Sequence, residues 1–311
     1  MAQKSEDRED VAMPTIEVSH NDLCKLIGKK IPLEKLKEDL LYAKGEIDGA
    51  EGDLLKLDIK DTNRPDLWSV EGVAREIKSR YKKSFPVYKV GKSSVVVSVD
   101  KKVSNVRPYT VCAVIRNIKI DKNILSQLIQ LQEKISGTFG RNRKEVSIGV
   151  YDLSKIKLPI TYTTVKPDAI KFVPLGFSEP LTPREILNTH PKGKEFGHLL
   201  ADCKEYPVFL DSSSNVLALV PIINSDYTGK VTESTRDLFI ECSGYAFKYL
   251  VPALNVLVAA LGDRGGKIES VSINYSNKRI VTPDLEPKKY SIKADYVNKV
   301  SGLDLSENSI V

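Results

Sequence analysis

The sequence predicts an α+β protein with several domains: a small N-terminal α/β domain followed by a mixed-sheet domain with packed helices. The chain has 311 residues, enough for two or three domains. Segments with alternating apolar residues, typical of strands, are interspersed with segments whose apolar residues recur at helical spacing. Hydrophobic residues make up 41% and charged residues 28% of the chain, a balance that permits a buried core.

The N-terminal part predicts a short extension and a small domain. Residues 1–12 are polar and charged without periodicity, so we expect them to be disordered. A short strand then leads into a helix for which Ser19 is the expected N-cap. A second helix, a strand at 54–59 and a helix capped by Ser69 complete a domain that we place at residues 13–90.

The next part predicts a larger domain at residues 91–266. Several apolar strands accompany an amphipathic helix at 123–138 and a long apolar helix at 246–261. Residues 267–285 contain two strand-like runs around a polar turn, which we interpret as a hairpin that returns to the first domain. Residues 286–311 predict a strand and a helix, the start of a further domain.

Composition narrows the class of protein. The formal net charge of +6 permits a phosphate-rich partner without requiring one. The four cysteines, Cys24, Cys112, Cys203 and Cys242, are far apart, and no CxxC or histidine pair has metal-ligand spacing. No apolar run has the length of a membrane span. We therefore expect reduced thiols, no metal site and a cytoplasmic protein.

The sequence lacks the short motifs of nucleotide-dependent or covalent catalysis. It contains neither GxxxxGK[ST] nor a GxGxxG after a strand, and no serine lies in a nucleophile elbow. An ATP-driven or covalent mechanism therefore has no support within this chain.

The segment 221–244 is the best candidate for a polar pocket. Two apolar runs flank a Gly/Thr-rich turn, which predicts a hairpin or a strand–loop–strand unit. Alternation places Phe239, Glu241 and Ser243 on one face of the second strand. An acceptor and a hydroxyl beside an aromatic ring suit a small polar pocket; a solvated strand face is the alternative.

A basic cluster follows Gly140. Arg141, Arg143 and Lys144 are three cations within four residues, just before the strand that begins at Val146. Such a loop could hold a nucleic-acid backbone, and a solvated surface loop is the alternative.

Several longer motifs carry a family resemblance. The runs DTNRPDLWSVEGVAREI, GRNRKEVSIGVYDL, KFVPLGF and LNVLVAALGDRGG resemble, in the same order, segments of the archaeal beta subunit of phenylalanine–tRNA ligase. The resemblance extends from about Met13 to the C-terminus. Because the family subunit is considerably longer, it implies that the chain holds a first small domain, the editing domain and the start of the next domain.

The resemblance implies a function in tRNA editing. The editing domain of this family hydrolyses tyrosine wrongly attached to tRNA(Phe). The partners implied are tRNA(Phe) and the alpha subunit, in an α2β2 heterotetramer. The charging site, with ATP and Mg²⁺, is implied to lie in the alpha subunit, so no cofactor is expected in this chain and no membrane partner.

The resemblance also assigns roles to individual residues. Glu241 is the implied acceptor for the phenolic hydroxyl of tyrosine, with Ser243 assisting it. Phe209 and Ala218 would form the wall that binds the ring, and Asn224 would anchor the polar end of the amino acid. Some members of the family have a hydroxyl residue where this chain has Ala218, and leucine is found where it has Phe209. Glu241 and Ser243 are conservative replacements of Asp and Thr, so the resemblance is compatible with a smaller and more aromatic pocket.

The implied mechanism is ester hydrolysis by a positioned water, without a covalent intermediate. Backbone N–H groups around Thr228 and Gly229 could stabilise the developing oxyanion. Arg141, Arg143 and Lys144 would hold the tRNA 3′ end or its backbone. Two other classes remain open: a non-catalytic scaffold of the synthetase, favoured by Ala218, and a general RNA-binding module.

Overall fold

The computed structural model describes residues 15–61, 63–82 and 86–310, and the predicted extension at 1–12 lies outside these ranges. Within them the chain forms a three-stranded sheet and a ten-stranded sheet, each covered by helices. The predicted α+β fold class is confirmed. None of the helices in the described ranges combines the length and apolar character that a membrane crossing requires.

The first unit is the three-stranded antiparallel sheet with its helices. Its elements are β1 (Thr15–Ser19), α1 (His20–Ile27), α2 (Leu33–Leu40), β2 (Gly45–Glu51), β3 (Leu54–Ile59) and α3 (Val70–Tyr81), and the strand order is β1-β3-β2. Helix α1 begins at the predicted cap, where Ser19 Oγ accepts a hydrogen bond from Asp22 N at 3.1 Å. It ends at Gly28, whose φ of 81° is a conformation that glycine adopts without strain.

The remaining elements build the second unit. They are β4 (Val90–Val99), β5 (Tyr109–Arg116), α4 (Lys122–Gly137), β6 (Val146–Asp152), β7 (Ile160–Val165), α5 (Pro183–Thr189), α6 (Pro191–Phe196), β8 (Tyr206–Leu210), β9 (Val216–Leu219), β10 (Ile223–Asn224), α7 (Asp226–Gly229), β11 (Leu238–Gly244), α8 (Phe247–Asp263), β12 (Lys267–Asn274) and β13 (Arg279–Thr282). Two short helices, α9 (Ala294–Ser301) and α10 (Glu307–Ile310), follow.

The large sheet has the strand order β10-β9-β8-β7-β4-β12-β5-β11-β6, and β13 pairs with β12. Strand β12 is parallel to β4 and antiparallel to β5, so it lies in the interior of this sheet. The prediction that the hairpin at 267–285 returns to the first domain is therefore wrong. The hairpin itself forms, but its apolar residues Val271 and Ile273 are fully buried in the core of the large sheet.

The large sheet curls until its two edge strands approach each other. Asn224 on β10 donates a hydrogen bond from Nδ2 to the carbonyl oxygen of Val150 on β6, at 3.3 Å. The concave face encloses an apolar cluster to which most of the strands contribute, including Tyr151, Tyr162 and Phe239. Since both edges face each other, neither presents a long open ladder to solvent.

The convex face is covered by helices and by the first unit. Helix α8 packs its apolar residues on β5 and β11, and the same continuous core includes α3. An ion cluster lies at this junction: Arg264 donates to Asp22 at 2.7 Å and to Glu71 at 2.6 Å. The three side chains are 6%, 14% and 6% exposed, so this is a largely buried charge cluster.

The segment 221–244 is a strand–loop–strand unit and not a hairpin, because β10 pairs with β9 and β11 pairs with β5 and β6. The short helix α7 lies between them. In the C-terminal segment, the predicted helix is α9, which ends at Gly302 with φ of 70°. The predicted strand before it is absent, because residues 283–293 have no regular secondary structure.

Candidate functional site

A cavity of about 310 Å³ lies where the two edges of the large sheet meet. One wall comes from α4, a second from β6, and a third from the segment that connects β9 to α7. The lining residues include Arg143, Ser147, Val150, Pro221, Ile222, Asn224, Gly229 and Glu241. This volume lies at the lower end of the range for pockets that bind small molecules.

Glu241 is the buried acidic group of this cavity. It lies on β11 opposite Gly149 of β6, and only 2% of its surface is exposed. Its Oε1 accepts a long hydrogen bond of 3.4 Å from the Tyr151 hydroxyl, whereas its Oε2 is buried without a partner. Burial raises the pKa of Glu241 to about 8, against the opposing effect of the Arg107 charge. At neutral pH the group is therefore largely a neutral carboxyl that can both donate and accept.

The predicted face of β11 is buried and not solvated. Phe239 and Ser243 have no exposed surface, and Phe239 packs on Tyr151 with ring centroids 5.8 Å apart. The alternative of a solvated strand face is therefore wrong. Ser243 does not line the cavity: its hydroxyl accepts a hydrogen bond from Arg107 Nε at 3.2 Å and lies 2.9 Å from the hydroxyl of the lining residue Ser147. It thus supports the site from behind.

Gly149 makes room for this arrangement. A Cβ atom at this position would lie 2.1 Å from the Tyr151 hydroxyl oxygen and 2.7 Å from Glu241 Oε1. Both distances are far below ordinary van der Waals contact. Any residue larger than glycine at position 149 would therefore displace the Tyr151–Glu241 pair.

We expect Gly149→Ala to destabilise the chain by about 1–3 kcal/mol, because the added methyl group overpacks a closed site. Urea unfolding at pH 7 measures the change. Gly91→Ala on β4 is the matched control, since its Cβ would meet only ordinary contacts at 3.6 Å. Equal stability of the two variants would contradict the close packing described for Gly149.

Asn224 and Gly229 lie together at the cavity, and a Cβ on Gly229 would lie 2.4 Å from Asn224 Cβ. The backbone N–H groups of Thr228 and Gly229 are both engaged. They donate to Ser225 Oγ at 3.3 Å and to the Ser225 carbonyl at 2.9 Å. Because both N–H groups donate within the turn of α7, the structure does not support the oxyanion role predicted for them.

Phe209 and Ala218 face each other across β8 and β9, as expected of one wall. They do not line the cavity. Phe209 is fully buried and stacks on Tyr162 with ring centroids 4.4 Å apart, in the core of the large sheet. The predicted ring-binding wall is thus occupied by protein side chains in this structure.

The basic loop contains two kinds of cation. Arg141 and Lys144 are exposed, in agreement with a surface that a polyanion can reach. Arg143 is half-buried, and its Nη1 donates to the carbonyl oxygens of Pro221 and Ile222 at 3.2 and 2.8 Å. Its guanidinium also lies 4.1 Å from the centroid of the Phe196 ring. Arg143 is therefore part of the cavity wall.

Three contributors to the site were not predicted from the sequence. Tyr151 alternates with Gly149 along β6, and this period-two pattern opposite Glu241 is the signal that could have indicated both. Arg107 is a lone cation before an apolar strand. The wall from α4 has no sequence signal, because its apolar residues are as expected of any core-facing helix. Among the residues in the described ranges, no group of three His, Cys, Asp or Glu side chains could hold a metal ion.

Comparison with known proteins places this chain in a family. No protein-family model matches the chain. A crystal structure of an N-terminal fragment of the phenylalanyl-tRNA synthetase beta subunit from Pyrococcus horikoshii superposes with a TM-score of 0.92 at 48% identity, covering 96% of this chain and 87% of that fragment. The chain belongs to the phenylalanine–tRNA ligase beta subunit family. The resemblance inferred from its motifs is thus confirmed.

Curated members of the phenylalanine–tRNA ligase beta subunit family show the same relation. The subunit of Pyrococcus abyssi is 49% identical over 304 residues, and that of Methanosphaera stadtmanae is 35% identical over the same length. In both comparisons the alignment covers 96% of this chain and 54% of the relative. The chain therefore spans about half the length of the curated beta subunits that it matches.

Proposed function

We propose that this chain acts in phenylalanine–tRNA ligase as the part that removes tyrosine from mischarged Tyr-tRNA(Phe). The observation that supports this function best is Glu241, with a buried carboxyl oxygen that has no partner at the wall of a small cavity. An unpaired buried polar group is costly, and a ligand hydroxyl is the kind of group that would relieve the cost.

Recognition of tyrosine follows from the protonation of Glu241. A neutral carboxyl can donate to the phenolic oxygen and accept the phenolic hydrogen, so tyrosine satisfies both oxygen atoms. Phenylalanine would leave Oε2 of Glu241 unpaired, as it is in the free protein. A site that pairs a substrate hydroxyl discriminates strongly against the analogue that lacks it.

The remaining parts of the site would bind and orient the ester. Asn224 uses its amide to donate to Val150, and its second N–H is the group proposed to anchor the polar end of the amino acid. Hydrolysis would use a positioned water without a covalent intermediate. Arg141 and Lys144 are proposed to contact the tRNA. We assign no described residue to ATP or Mg²⁺, which we propose to be bound by the alpha subunit in an α2β2 assembly.

The test is deacylation of Tyr-tRNA(Phe), with the chain alone and assembled with the alpha subunit. We expect Glu241→Ala to lower kcat/KM roughly 10- to 100-fold, the size of one lost hydrogen-bonding group. Glu233→Ala, which removes an exposed glutamate, serves as the matched control and should retain full activity. Unchanged hydrolysis in the Glu241 variant would reject the assignment.

A second candidate function is a non-catalytic scaffold that binds tRNA. The stacking of Phe209 on Tyr162 favours it, because the predicted ring-binding wall is closed. This candidate predicts that the wild-type chain binds tRNA(Phe) and the alpha subunit but releases no tyrosine. A general RNA-binding module would instead show salt-sensitive binding without preference for tRNA(Phe).

A further inference from the structure

The basic loop contains an unusual stretch of backbone. Arg141, Asn142 and Arg143 have φ angles of 48°, 50° and 65°, so three consecutive non-glycine residues adopt the left-handed conformation. This conformation is unfavourable for L-residues with a side chain and occurs mostly at single positions. It persists only where the surroundings determine it.

Arg107 supplies such surroundings. The residue is 2% exposed, and its guanidinium lies against the backbone of the loop. Nη2 donates to the carbonyl oxygen of Arg143 at 2.9 Å, and Nη1 donates to that of Lys144 at 3.0 Å. Hydrogen bonds from a charged donor are stronger than those between neutral groups, so these two fix the end of the left-handed turn.

The same guanidinium also donates hydrogen bonds to β11, the strand that carries Glu241. Nε donates to Ser243 Oγ at 3.2 Å, and Nη2 donates to the Ser243 carbonyl at 2.6 Å. Ser243 is two residues from Glu241 on β11. The planar, forked guanidinium therefore joins the loop to the strand, a geometry that the single ammonium group of lysine cannot reproduce.

The loop in turn places a wall of the cavity. The Arg143 side chain reaches the carbonyl oxygens of Pro221 and Ile222, and all three residues line the cavity. We propose that Arg107 is a positioning residue of the site: it holds the 141–144 turn against β11 and thereby holds Arg143 in the cavity wall. Its effect on substrate rests on the proposed function, whereas its effect on the loop does not.

Limited trypsin digestion of the folded full chain tests the effect on the loop. Trypsin cleaves after Arg143 and Lys144, and the carbonyls of these two bonds are the ones that Arg107 holds. We expect Arg107→Met to raise the cleavage rate at these bonds at least about tenfold, because local opening no longer breaks charged hydrogen bonds. Wild-type cleavage in a folded Arg107→Met variant would overturn the proposal.

Two further variants make the result specific. Arg116→Met removes an arginine from the other end of β5, where it pairs with Asp237 and Glu269, and should leave loop cleavage unchanged. Arg107→Lys retains the charge without the fork and should give an intermediate rate. If Arg107→Met does not fold, Arg107→Lys carries the test, and wild-type cleavage in that variant would overturn the need for the fork.

The substrate readout is the hydrolysis of Tyr-tRNA(Phe). A loop that positions substrate without touching the reacting ester affects KM more than kcat, so Arg107→Lys should raise KM several-fold at nearly unchanged kcat. An unchanged KM in an active enzyme would overturn the link to the cavity. If the wild-type chain shows no hydrolysis but the variants expose the loop, the proposed function fails while the role of Arg107 in the loop stands.

Discussion

The Glu241→Gln variant is expected to gain stability relative to the wild-type chain as the pH rises from 4.5 to about 8. Burial raises the pKa of Glu241 from 4.5 to about 8, so the folded chain keeps this proton where the unfolded chain has lost it. The stabilising contribution is complete below pH 4.5 and is lost as the pH rises to about 8. The slope approaches roughly 1.4 kcal/mol per pH unit in this window.

Urea unfolding of both proteins at pH 5, 6, 7, 8 and 9 measures this difference. The free energy of unfolding of the wild-type chain should fall relative to that of Glu241→Gln, and the difference should level off above pH 8. Glu233→Gln, at an exposed position, provides the reference for an ordinary glutamate. A difference between Glu241→Gln and the wild type that is independent of pH would show that the carboxyl is not held in its neutral form.

The Arg264→Met variant is expected to lose about 3–5 kcal/mol of stability. Arg264 compensates Asp22 and Glu71, and all three side chains are largely buried at the junction of the first unit with α8. Removing the cation leaves two buried carboxylates without a counter-charge, which costs more than the pair contributes when intact. Chemical unfolding at pH 7 measures the loss.

Two controls separate burial from charge pairing. Arg184→Met breaks an arginine–carboxylate pair with Asp168, in which both side chains are more than half exposed, and should cost at most about 1 kcal/mol. Adding Asp22→Asn and Glu71→Gln to Arg264→Met removes the uncompensated charges and should restore part of the stability. If the Arg264 and Arg184 variants lose the same stability, burial does not determine the cost.

Local features of the fold were predicted because their causes are local. Ser19 and Ser69 cap α1 and α3 by accepting hydrogen bonds from backbone N–H groups three residues later. Each of these signals lies within a few residues of its effect.

Features that depend on distant partners were not predicted. Strand β2 also went unpredicted, although its partner β3 follows directly after residues 52–53, because the sequence GEIDGAE has little strand preference. The interior position of β12 depends on pairing with β4 and β5, which no pattern within 267–274 encodes.

In the candidate site, too, locally determined features were predicted and features that depend on distant parts of the chain were not. Alternation along β11 predicted that Glu241 shares a face with Phe239 and Ser243. The core clusters agree with this alternation, because Phe239 belongs to the cluster on the concave face, whereas Ile240 and Cys242 belong to the other cluster. The cavity beside Glu241 is a tertiary product, because α4, β6 and the 219–224 segment meet there only after the sheet curls. The positions of Phe209 and Tyr162 likewise follow from strand order and not from any local motif.

The interior position of β12 has a consequence for the order of folding during synthesis. Strands β7–β10 lie beyond β4 on one side of β12, and β11 and β6 lie beyond β5 on the other. Until residues 267–274 have left the ribosome, the two halves of the sheet have no strand to join them. Such distant pairings form slowly. The cavity, with walls from both halves, is therefore among the last parts of the nascent chain to assemble.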